Sequence, residues 1–106
     1  MLTEQEFRVR CDDALEGARA ALLPLADAED FEVELQQGLL HVVFETPIAA
    51  KFIVSPNAPV RQVWVSAMSR SFKLPWDAAR GAFALDGETL DALLQRMVQT
   101  FLGGGA

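Results

Sequence analysis

The sequence predicts an α+β fold, a two-layer sandwich with an N-terminal and a C-terminal helix packed on one face of an antiparallel sheet of five to six strands. Three observations lead there. Apolar residues at spacings of three and four open the chain, period-2 alternation fills its middle, and a second helical stripe closes it. The connections between the alternating segments are short, which favours an antiparallel meander. At 106 residues, one domain is expected over 1–102, with 103–106 as a disordered tail.

Thr3 followed by Glu6 is a capping box. The helix it opens places Phe7, Cys11, Leu15, Ala18 and Leu22 on one face, and Pro24, which lacks an N–H, is expected to end it near Leu23. Phe31, Val33 and Leu35 then alternate with Asp30, Glu32 and Glu34, and Gln36-Gln37-Gly38 reads as a hairpin turn. Leu40, Val42 and Phe44 point inward on the second strand, with His41 outward. Lys51 to Val54 is the third strand, Ser55 to Pro59 a loop by composition, and Val60 to Ala67 the fourth strand. Phe72, Leu74 and Trp76 mark a fifth, ended by Pro75, and Ala82 to Leu85 a short sixth. Asp86 is expected to cap the last helix, whose stripe of Leu90, Leu93, Leu94, Met97, Val98, Phe101 and Leu102 is the strongest periodic signal in the chain.

Charge narrows function. The net charge is −6, and it is unevenly spread: residues 1–45 hold eleven acids and three bases, residues 46–106 four acids and six bases. An acidic chain repels phosphate backbones, so nucleic acid is not an expected partner. No run of 18 apolar residues spans a membrane. One cysteine excludes an internal disulfide, and the N-terminus carries neither a secretion signal nor a transit pattern, so a cytoplasmic setting is expected. There is no Gly-rich phosphate loop, and a single histidine, His41, excludes His-based triads and two-histidine zinc sites. A non-catalytic protein is the expectation.

Two features remain. Asp12, Asp13 and Glu16 cluster on the polar side of the first helix, and Glu29, Asp30, Glu32 and Glu34 follow, the last three on one face of the first strand. Packed side by side they form a carboxylate ridge, either a solvated face or a surface for hard cations such as Fe²⁺ or Mn²⁺. Trp64 lies opposite its valine neighbours on the fourth strand, either half-buried by packing or an exposed anchor for a partner. Arg70 or Lys73 is within sequence reach of a cation–π contact.

Asn57-Ala58-Pro59-Val60-Arg61-Gln62-Val63-Trp64-Val65-Ser66 resembles the stretch of the frataxin family, its bacterial CyaY-type branch included, in which a proline precedes a Gln–aliphatic–Trp strand. Asp86-Gly87-Glu88-Thr89-Leu90 is similar to the start of that family's last helix, and Gln37-Gly38-Leu39-Leu40 to the opening of its second strand. The resemblance runs from Glu6-Phe7 to about Phe101. The chain departs from the pattern at the end of the first helix, where Ala20-Ala21-Leu22-Leu23-Pro24 replaces acidic residues.

The resemblance implies a frataxin-like fold and a regulator or adaptor of iron–sulfur cluster assembly that is a monomer when metal-free. It implies weak Fe²⁺/Fe³⁺ binding through Asp12, Asp13, Glu16, Glu29, Asp30, Glu32 and Glu34. It also implies contact with the cysteine desulfurase and scaffold protein through Gln62 and Trp64, with Ser55 where the family often has asparagine. Two other readings stay open: a pure interaction module whose ridge only steers a basic partner, and a dimeric, acidic secretion-type chaperone.

Overall fold

The computed structural model describes residues 2–103. Helix α1 spans Glu4–Glu29, seven strands follow as β1 Glu32–Gln36, β2 Leu39–Phe44, β3 Ala50–Asn57, β4 Gln62–Ala67, β5 Arg70–Asp77, β6 Ala82–Leu85 and β7 Glu88–Thr89, and helix α2 spans Leu90–Leu102. The sheet is a sequential antiparallel meander, β1 to β7 in order. Both helices lie on one face, as the sequence predicts. The strand count is seven rather than five to six.

The capping box forms: Thr3 N–H donates to Glu6 Oε1 at 2.8 Å and Glu6 N–H to Thr3 Oγ1 at 3.1 Å. Helix α1 does not stop at Leu23 but runs through Pro24 to Glu29. The reason is burial. The inward stripe of Phe7, Cys11, Leu15, Ala18 and Leu22 continues to Ala26 beyond the proline, and Leu25 packs against the same core. Burial of that last turn outweighs the roughly 3 kcal/mol a mid-helix proline costs. Asp30, left-handed at φ 59°, ends the helix by donating its N–H to Ala26 O.

Gln37 and Gly38 both have positive φ, 53° and 77°, the conformation that lets a two-residue turn join twisted strands. The region expected to be a loop at Ser55–Pro59 is instead mostly strand. Pro56 sits in β3 opposite Val63 of β4, beyond Ala50–Val54 where β2 pairs, so its missing N–H breaks no ladder on that side. Pro75 likewise lies inside β5, before β6 begins to pair at Trp76. Val60 belongs to a 3-10 turn, Ala58–Val60, and β4 begins two residues later. Asp86 does not cap α2. With Gly87 it makes the positive-φ turn between β6 and β7, and Thr89 is the cap, its Oγ1 accepting Ala92 N–H at 3.4 Å. Gly103 closes α2 by donating its N–H to Gln99 O; the rest of the expected tail, 104–106, lies outside the described residues.

Alternate strand residues fill the space between sheet and helices. Leu40, Val42, Phe44, Phe52, Val54, Val63, Val65, Phe72 and Leu74 are buried against the helix stripes. Phe44 is the hub, with ring centroids 4.4 Å from Phe101, 4.9 Å from Phe31 and 5.1 Å from Phe52. Cys11 belongs to this core, and burial pushes its thiol up to about 12, far from the range of a reactive thiolate.

Candidate interaction surface and acidic edge

Because strand residues alternate faces, burying the valines of β4 sends Gln62, Trp64 and Ser66 to the side away from the helices. Register then decides their neighbours. Ser55, Trp64 and Lys73 lie in one row across β3, β4 and β5, and Asn57, Gln62 and Pro75 form the next row. All three residues expected to face a partner, Ser55, Gln62 and Trp64, therefore share this outer face.

Trp64 is half-buried there by its neighbours and lies outside the helix-packed core. Its indole N–H donates to Gln62 Oε1 at 2.9 Å, and Lys73 Nζ stands 4.9 Å from the ring centroid. One contact fixes the edge of the ring and the other its face, so the indole is oriented before any partner arrives. Arg70, the other candidate, instead covers Phe72 at 5.0 Å.

The acidic residues divide into groups. Glu32 and Glu34 are exposed on β1, an edge strand, paired with Val43 and His41. The outer face thus runs from these carboxylates across Val43 and His41 to Lys51 and Ile53 of β3, with Ser66 of β4 opposite Ile53 and Trp64 one outward position along β4. Asp12 lines a groove with Gln37 and Gly38 of the β1–β2 turn, so the flank of α1 carrying Asp12 and, four residues on, Glu16 is the one beside β1. Glu16 accepts from Arg19 Nη1 at 2.8 Å, which neutralises part of its charge.

Two expected members of the ridge lie elsewhere. Asp13, about 100° further round the helix, lines a groove with Trp76 and Asp91 toward α2. Asp30 is the left-handed helix cap rather than a strand residue, so the alternation expected to set it beside Glu32 and Glu34 starts after it. Glu29 is the last residue of α1. Among the described residues, no three His, Cys, Asp or Glu side chains gather as a metal cluster. The oxygen donors suit hard cations, but they form a strip and not a cage.

Sequence reasoning named Lys73 and His41 but left their surroundings open, and it missed the contact made by Arg61. Lys73 could have been paired with Trp64 by counting outward from a two-residue turn at Met68–Ser69. Arg61, left-handed at φ 53°, donates from Nε to Leu2 O at 3.3 Å and from Nη1 to Ala58 O, tying the start of α1 to the turn before β4. No sequence signal announces that contact, since 59 residues separate its ends. His41 keeps Nδ1 buried without a hydrogen-bond partner. Among the described residues, no helix is long and apolar enough to cross a membrane.

Comparison with known proteins agrees with the geometry. A family model described as a frataxin-like domain matches residues 1–104. The chain is 35% identical over 91 residues to the iron-sulfur cluster assembly protein CyaY of Pseudomonas aeruginosa, covering 82% of each chain. It is 32% identical over 99 residues to the protein of that name from Janthinobacterium sp. (strain Marseille), covering 92% of this chain and 88% of the relative. With the Azotobacter vinelandii protein of the same name it shares 31% identity over 106 residues, covering 96% and 91%.

Proposed function

The chain belongs to the frataxin-like family, and from that premise we propose that it is a non-catalytic cytoplasmic regulator of iron–sulfur cluster assembly that docks a cysteine desulfurase–scaffold complex through its outer sheet face. The observation that carries this reading is the fixed Trp64 indole, held by Gln62 and Lys73 beside Ser55. A pre-oriented tryptophan on an otherwise polar strand face is the residue type that dominates interface energetics. The relatives' name, iron-sulfur cluster assembly protein, supplies the pathway.

Iron is cargo in this reading. Asp12 and Glu16 on α1, with Glu32 and Glu34 on β1, offer oxygen donors along one edge of the molecule. Spread along a strip, they leave the cation most of its water, so binding is weak and sensitive to salt. Glu29 and Asp30 stand at the end of α1, as outlying donors. The same negative edge steers a basic partner surface toward the adjoining face. A second reading keeps the docking and drops the metal; the absence of a three-ligand cluster among the described residues favours it.

Amide spectra of the labelled protein in the presence of the desulfurase–scaffold complex test the docking. Signals of Ser55, Gln62, Trp64 and Lys73 should broaden first. Broadening centred on α2, with the outer face unaffected, would overturn the reading.

A further inference from the structure

A groove of about 380 Å³ opens between α1 and the start of α2, on the side of α1 away from β1. That volume falls within the roughly 300–1,000 Å³ typical of small-molecule sites. Its rim carries both signs of charge, Arg10 and Asp13 from α1 and Asp91 from α2, with Trp76 as one wall. None of the three charged groups takes part in an ion pair among the described residues, although Arg19, Arg80 and Arg96 each hold a carboxylate. Arg10 is parked over Trp76, 5.2 Å from the ring centroid. Burial raises the Asp91 carboxyl above its ordinary range.

Two glycines keep the groove open. No atom lies within 4 Å of where a Cβ on Gly17 or Gly81 would sit; Gly81 is held to glycine by its left-handed φ of 62°, whereas nothing in the packing demands glycine at 17. Gly17 weakens the middle of a long helix for no packing gain. The floor beneath, Ala14, Phe83 and Leu90, is apolar.

We propose that this groove binds a small zwitterion of the α-amino-acid class, its ammonium toward Asp13 and Asp91, its carboxylate toward Arg10 and its side chain on the apolar floor. A simple cation would meet Arg10, and a simple anion would meet two carboxylates. A molecule carrying both charges satisfies all three groups at once. The site is separate from the acidic edge and from the Trp64 face, and its failure leaves both untouched.

Titration with L-alanine, L-leucine and L-lysine, read on the Trp76 indole and Gly81 amide signals, tests it. At least one amino acid should move both signals, while leucinamide and 4-methylpentanoate should need concentrations at least about tenfold higher, the equivalent of one ionic contact. Gly17→Leu should raise Tm and abolish the response by filling the groove. Asp91→Asn should weaken binding at least about tenfold and provides the test if Gly17→Leu does not fold. No movement with any of the three amino acids overturns the proposal. So does leucinamide acting as well as leucine, or undiminished binding in folded Gly17→Leu or in Asp91→Asn.

Discussion

Lys73 faces Trp64 directly across the β4–β5 ladder, its ammonium 4.9 Å from the indole centroid. The pair does two things. It holds the aromatic ring against the sheet, and it places a positive charge on a face whose far edge is negative. Lys73→Ala should therefore shift the Trp64 indole N–H signal and weaken docking by about 0.5–1 kcal/mol, with little change in Tm. An unmoved indole signal would mean that Gln62 alone orients the ring.

Anaerobic titration with Fe²⁺ should perturb the side-chain carboxyl signals of Asp12, Glu16, Glu32 and Glu34 more than that of Asp13, which lies toward α2. Raising the salt toward 1 M should erase the response, as expected for solvated carboxylates. Equal perturbation at Asp13 would place the cation in the other groove.

Acid should act oppositely on two carboxylates near the start of α2. Glu88 accepts two hydrogen bonds from Arg96, at 2.8 and 2.9 Å, and these hold its carboxyl below the ordinary range. A lowered value means stability present above the ordinary carboxylate range and lost as pH falls through it. Glu88→Gln should cost about 0.5 kcal/mol at neutral pH, because the pair is largely solvated, and the gap should close below about pH 4. Burial moves Asp91 the other way, so the folded state binds its proton more tightly than the unfolded chain does. Asp91→Asn should stabilise the protein at neutral pH, with the gain shrinking as acid protonates the parent. Denaturation curves at several pH values check both slopes.

Pro24 interrupts a 26-residue helix that forms regardless. Replacing it by alanine should restore one helical hydrogen bond, remove a steric clash and raise stability by about 2 kcal/mol, after allowing for the freer unfolded chain. Urea unfolding measures the difference. Unchanged or lowered stability would show that the proline's own packing compensates for the bond it removes.

These residues also show what could be read in advance. The alternation of Leu40, Val42 and Phe44, and the stripe from Leu90 to Leu102, announced sheet and helix because burial imposes those periods. Pro24, Pro56 and Asp86 misled because local preference was weighed without its tertiary setting. Burial of Ala26 carries the helix past Pro24, the end of β2 pairing excuses Pro56, and the Asp86-Gly87 turn hands the cap to Thr89. The outward placement of Gln62 and Trp64 followed from the pleat, whereas Ser55 was expected in a loop and joins them only because β3 runs on to Asn57 opposite β4. The carboxylates did not all follow, because one residue's step round a helix sends Asp13 toward α2 and a left-handed cap removes Asp30 from the strand.

Calorimetric binding of the desulfurase–scaffold complex to Trp64→Ala, against the parent protein at matched salt, is the most direct trial of the docking surface. The expected result is an affinity loss of about 2 kcal/mol or more, roughly thirtyfold, with the fold retained. Parent-like affinity in a folded Trp64→Ala protein would contradict it.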